Sequence, residues 1–143
     1  MNFRRSTVNR IAMRLLPAAF LILQACGDDD PSGPDGGVTN LTSGVAVTNI
    51  DGGEDSERVY RISVPAGAVL LSVETSGGTG DVDLVVRHGA TPTPTNFDCE
   101  SFEIGNAETC DIDDPDAGDW YILLYGFEEY DNVSLVATVD DGT

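Results

Sequence analysis

Apolar and polar residues alternate with a period of two in five stretches of this chain. In "VYRISV" (residues 59–64), Tyr60, Ile62 and Val64 fall on one face, and Arg61 and Ser63 on the other. The same count groups Val69, Leu71 and Val73 in "VLLSVET", Val82, Leu84 and Val86 in "VDLVVRH", and Val133, Leu135, Ala137 and Val139 in "NVSLVATV". In "WYILLYG" it turns Trp120, Ile122 and Leu124 inward, and Tyr121, Leu123 and Tyr125 outward. Successive side chains of an extended chain point to opposite faces, so each run predicts a strand with one buried and one wet face. Between the runs stand "DGGED", "PAG", "SGGTG", "TPTPTN" and "DPDAGD". Glycine, proline, aspartate and asparagine are the residues that turns demand. Beyond residue 25 no stretch carries an apolar stripe at helical spacing. The pattern predicts an all-β fold: one antiparallel β-sandwich or jelly roll of roughly eight strands over residues 41–140, with Trp120 in its core.

The first 25 residues read differently. Arg4, Arg5, Arg10 and Arg14 precede the apolar run "LLPAAFLIL" (residues 15–23), and "LQAC" (residues 23–26) follows it. Positive charge, a short apolar segment and a small-residue cleavage site, in that order, make a signal peptide. The run is too short to anchor a helix across a bilayer. "LQAC" resembles the lipobox of bacterial lipoproteins, which implies that Cys26 becomes the lipidated first residue of the mature chain. The stretch that follows, "GDDDPSGPDGGVTN", is almost devoid of apolar side chains. It cannot bury enough surface to offset ordering, so residues 26–40 are expected to form a flexible acidic tether.

Removal of the leader changes the charge. The whole chain carries a net charge of −18; four of its seven cationic side chains lie in the leader, and none of its 25 acids do. Three arginines against 25 acids leave the mature chain at −22, with no lysine. Such a surface does not bind nucleic acid, since phosphate binding needs basic groups. Anionic lipid headgroups repel it as well, so attachment to a membrane falls to the acyl chain. The surface suits divalent cations or basic partners, and it also serves solubility. With Cys26 lipidated, Cys99 and Cys110 remain as an even pair in an exported chain and are expected to form a disulfide.

Candidate chemistry is confined to carboxylates and aromatics. The single histidine, His88, ends a predicted strand, and nothing around it supplies the partners of a nucleophilic triad. The chain is therefore expected to be noncatalytic. Acids gather in "DGGEDSE" (residues 51–57), at Asp81 and Asp83, and in "DIDDPD" (residues 111–116). Ca²⁺ takes six to eight oxygens in flexible geometry, which makes Glu54, Asp55, Asp81 and Asp83 candidate ligands. Acids in turns also solvate the chain and blunt sheet edges, and the sequence leaves both readings open. No cofactor is required; Ca²⁺ is the one candidate. Phe97, Phe102, Tyr125, Phe127 and Tyr130 lie in loops or on an outer strand face. Of these, Tyr125, Phe127, Tyr130 and Phe97 are the candidate binding surface for sugar rings or polypeptide.

Taken in order, "Y-R-x-x-V-P-A-G", "G-D-x-D-L-V-V", "F-D-C", "E-T-C", "P-x-A-G-x-W-Y-x-x-L-Y-G" and the final alternating strand resemble the bacterial pre-peptidase C-terminal domain family. The resemblance runs from about Leu41 to Val139. It implies a β-sandwich or jelly roll with a Cys99–Cys110 disulfide, a noncatalytic role beside secreted proteases, and kinship with the collagen-binding domains of clostridial collagenases. Some of those bind Ca²⁺ through an acidic N-terminal segment, which is replaced here by "DDDPSGPDGG". Asp81 and Asp83 fall in the family's own G-D-x-D-L motif. The expectation is a monomeric module, lipid-anchored in the bacterial cell envelope at the periplasmic face or cell surface, which binds extracellular protein or polysaccharide. The alternative is an accessory or structural lipoprotein that assists or inhibits a separately encoded secreted protease.

Overall fold

The computed structural model describes residues 37–143; the leader, Cys26 and most of the expected tether lie outside them. The strands are β1 (Thr39–Asn40), β2 (Val47–Gly52), β3 (Glu57–Val64), β4 (Leu70–Ser76), β5 (Val82–His88), β6 (Cys99–Ser101), β7 (Thr109–Asp113), β8 (Gly118–Gly126) and β9 (Tyr130–Asp140). They form two sheets, ordered β1-β3-β8-β5-β6 and β2-β9-β4-β7, and no helix occurs among the described residues. The extra strand relative to the expected eight is β1, which pairs with β3 in parallel; every other pairing is antiparallel. It places Thr39 and Asn40 opposite Tyr60 and Arg61, inside the residues expected to be tether. The β-sandwich therefore includes residues slightly before 41. One side-chain and one backbone hydrogen bond fasten it: the Arg61 guanidinium Nε donates to Asn40 Oδ1 at 2.9 Å, and Leu41 N–H donates to the Arg61 carbonyl at 2.7 Å.

The alternating runs supply the core. Ile62, Leu84, Val86, Trp120, Ile122 and Leu124 from one sheet meet Leu71, Val73, Val133, Leu135 and Ala137 from the other, and all are buried. Each fully buried aliphatic side chain of this kind contributes roughly 1.5–3 kcal/mol against its exposed state. Val69 departs from the expected register. It is 42% exposed, because β4 begins only at Leu70 and Val69 belongs to the turn before it. The outer face of the larger sheet departs too: Leu123 and Val85 are buried although their parity turns them away from the core. They occupy the sheet's middle, where Leu123 pairs with Val59 on one side and Val85 on the other. Cross-strand neighbours at that spacing cover one another.

Cys99 on β6 and Cys110 on β7 form a disulfide, with their Cα atoms 5.9 Å apart. Since β6 and β7 are the edge strands of their respective sheets, the bond ties the two layers together along one side.

Candidate functional site

The chain direction gathers four loops at one end of the sandwich. They join β2 to β3, β4 to β5, β6 to β7 and β8 to β9. Backbone hydrogen bonds lace them together. Asp55 N–H donates to the Gly126 carbonyl at 2.9 Å, Glu128 N–H to that of Asp81 at 3.1 Å, and Val82 N–H to that of Gly105 at 3.4 Å. Thr79 and Asp131 bond reciprocally at 3.0 Å. "SGGTG" is glycine-rich for this reason. A Cβ on Gly80, whose φ is 96°, would stand 2.0 Å from the Glu129 carbonyl oxygen, and one on Gly78 would stand 2.1 Å from that of Asp131.

Asp81, Asp83, Glu54 and Asp55 all lie at this end. Asp83 is opposite Tyr125 in the β5–β8 ladder, and the Tyr125 hydroxyl donates to Asp55. That bond, with burial and the surrounding carboxylates, holds the Tyr125 phenol above its ordinary range. Asp83 is pushed up to about 6, first by burial and then by the charges of Asp81 and Glu108. Desolvation and like charge both favour the neutral acid. Among the described residues no three His, Cys, Asp or Glu side chains stand close enough to share a metal ion. Asp51 and Asp131 form a second acidic contact here. The Asn132 N–H, at 2.7 Å, holds Asp51 below the ordinary carboxylate range, and the hydrogen bond to Asp51 holds Asp131 above it.

The aromatic candidates divide. Phe127 is 60% exposed, and Tyr125 is half-buried on the outer face. Phe97 is half-buried and packs edge-to-face on Phe102, with ring centres 6.4 Å apart. Tyr130 is not a surface residue: it is 1% exposed. It opens β9 opposite Gly52, and its ring fills the space that a side chain at position 52 would need. In the alternating run, Tyr130 continues the inward set of Val133 and Leu135 after an irregularity at Asn132, where φ is 61°. That irregularity hides the register from a simple count.

Three residues outside the sequence-derived set complete this end. Glu108 is completely buried, and its carboxylate accepts the Glu103 N–H at 3.1 Å. Asn106, 8% exposed, donates through its side chain to the Gly77 carbonyl at 3.0 Å. Ile104 is 99% exposed. The only sequence signal for Glu108 is that an acid stands two residues before a disulfide cysteine in "GNAETC". Four buried side-chain atoms stand out: Asp81 Oδ1 and Asn106 Oδ1 have no hydrogen-bond partner among the described residues, while Ser56 Oγ and the Tyr130 hydroxyl are buried against each other. All four belong to this end.

The opposite end is built from complementary contacts. Trp120 donates its indole N–H to the Asp116 carbonyl at 2.9 Å, and His88 Nε2 lies 3.2 Å from that of Ala117. The two rings stack at 5.0 Å. His88 is half-buried there. Asp98 accepts its backbone N–H at 2.7 Å. A shallow cavity of about 440 Å³ opens beside Arg87, His88, Asp114 and Trp120.

The architecture defines a class: small all-β sandwich modules closed by an inter-sheet disulfide, their loops collected at one end. The chain belongs to the bacterial pre-peptidase C-terminal domain family, whose sequence profile matches residues 56–126. It is 37% identical over 134 residues to alkaline serine exoprotease A of Vibrio alginolyticus, covering 93% of this chain and 24% of the exoprotease. The chain thus spans about a quarter of the length of that curated relative. The solution structure of vEP C-ter 100 matches with a TM-score of 0.57 at 31% identity, covering 70% of this chain and 98% of that one. The pre-peptidase C-terminal domain of a Bacillus anthracis collagenase matches with a TM-score of 0.55 at 12% identity, covering 76% and 100%, and shows the shared fold. Domains of this family are noncatalytic parts of secreted proteases.

Proposed function

We propose that this chain is a noncatalytic, lipid-anchored module of the cell envelope that binds extracellular protein or polysaccharide. The observation that carries this reading is the outer face of the larger sheet. Cross-strand pairing sets Glu57, Tyr125 and Asp83 in one row, Val59, Leu123 and Val85 in the next, and Arg61, Tyr121 and Arg87 in a third. A broad face with two tyrosines, both charge signs and a buried aliphatic centre resembles the amphipathic surfaces on which polymers and polypeptides dock. The test is retention of the protein on insoluble collagen, chitin, cellulose and peptidoglycan, with loss of retention in Tyr121→Ala or Tyr125→Ala. Absence of retention on every matrix would refute the module reading.

The anchor has its own test. Cys26→Ser should move the protein from the membrane to the soluble fraction; an unchanged distribution would remove the lipid from the proposal. A second reading, an accessory lipoprotein that assists or inhibits a separately encoded secreted protease, is favoured by the similarity to an exoprotease. Capture of a co-secreted protease, with no retention on polymer, would select it.

A further inference from the structure

At the loop end, three large apolar side chains stand in the solvent: Ile104 at 99% exposure, Phe127 at 60% and Phe102 at 49%. The other large exposed apolar residues among those described are valines. The three come from two loops that flank the start of β5. Gly105 accepts from Val82 on one side, and Glu128 donates to Asp81 on the other. They therefore sit on one laced platform. Carboxylates share their loops and the adjoining ones: Glu103 and Glu128 are chain neighbours of the apolar residues, and Glu54, Asp55, Asp81 and Glu129 lie in the same four loops or at their ends. The one cation described at this end, Arg58, is half-buried and donates to the Asp51 carbonyl at 2.8 Å. Beneath the platform, Asp81 Oδ1 and Asn106 Oδ1 are buried without a hydrogen-bond partner.

From this we infer that the loop end is a docking surface for a cationic polypeptide segment that also carries apolar side chains. The inference rests on the binding-module reading and names the partner's chemistry. Apolar side chains of the partner would cover Ile104, Phe127 and Phe102, and its lysines or arginines would meet the surrounding carboxylates. Charge decides among the occupants. A second copy of this chain would set two acidic ends against each other, and anionic lipid or nucleic acid meets the same repulsion. A neutral polysaccharide would leave the carboxylates without counter-charge. A basic, partly apolar polypeptide satisfies both features of the surface.

The experiment titrates the full chain with a short synthetic peptide of lysine and leucine, and with a matched peptide of lysine and serine. Saturable binding of the first is expected, weakened by salt because part of the attraction is screened charge. Affinity should fall about tenfold, the equivalent of ~1.4 kcal/mol, for the lysine–serine peptide and for the Ile104→Ser/Phe127→Ser double variant. Both side chains are exposed, so the variant should fold, which its melting temperature checks. Glu103→Gln/Glu128→Gln should weaken binding and flatten its salt dependence. Equal affinity of parent and Ile104→Ser/Phe127→Ser, or no saturable binding, would overturn the inference. If the parent binds neither peptide saturably yet is retained on an insoluble polymer, docking at this end is refuted and the module reading survives. If the parent is retained on none, the module reading itself has failed.

Discussion

The two ends of the sandwich solve the same problem in opposite ways. At the far end, polar groups find partners within the chain: Trp120 with Asp116, His88 with Ala117 and Asp98. At the loop end the backbone is laced tightly, yet Asp81 Oδ1 and Asn106 Oδ1 are buried without partners among the described residues, and Ile104, Phe127 and Phe102 are exposed. A folded chain tends to hydrogen-bond its buried polar groups and limit exposed apolar patches, so departures from both at one place call for an explanation. One end closes on itself, and the other is the end to which the docking proposal assigns a partner.

Substitutions can break that comparison. The largest effect belongs to Trp120→Ala, which empties a site that is 4% exposed and should cost about 3–5 kcal/mol in urea unfolding. Phe127→Ser, at 60% exposure, should stay within about 0.5 kcal/mol. Comparable losses for the two would erase the distinction. Next comes the Cys99→Ser/Cys110→Ser variant. The cysteines are 11 residues apart, and opening so short a loop should cost roughly 3 kcal/mol on the chain-entropy account. Stability unchanged by substitution or reduction would show that the two sheet edges hold without their tie.

A smaller effect sharpens the electrostatics of the loop end. Asp83 has a folded pKa of about 6 against an ordinary value of 3.8. The folded state holds the proton more tightly, so this group's contribution is full below the lower value and is lost as pH rises through the upper one. Asp83→Asn should remove that fall from the melting-temperature profile and match or exceed the parent at neutral pH. A variant that keeps the parent's profile would place the raised pKa elsewhere. Smallest is the response to Ca²⁺, since among the described residues no three acidic, histidine or cysteine side chains are already drawn together. A modest rise in melting temperature with Ca²⁺, and less with Mg²⁺, is the expected outcome. A site filled at one hundred times its dissociation constant would add about 2.7 kcal/mol, and an unchanged melting point at millimolar Ca²⁺ would take the ion out of the reading.

Much of this molecule is legible in its sequence. Period-two runs alone place Tyr60, Ile62, Leu71, Leu84, Trp120, Ile122 and Leu135 in the core, because a strand's side chains alternate whatever it pairs with. The turn residues mark where strands end, and cysteine counting finds the disulfide. What the count misses depends on neighbours far along the chain. Leu123 and Val85 are buried in a cross-strand row in which Leu123 sits between Val59 and Val85. Tyr130 is buried because the strand irregularity before Val133 turns its ring into the space beside Gly52. The loop end belongs wholly to this second kind. Ile104, Phe127, Asp81 and Glu54 are scattered over some seventy residues and share one platform only because strand order returns four loops to the same end. Local alternation is a property of the chain; which distant side chains share a surface is a property of the pairing.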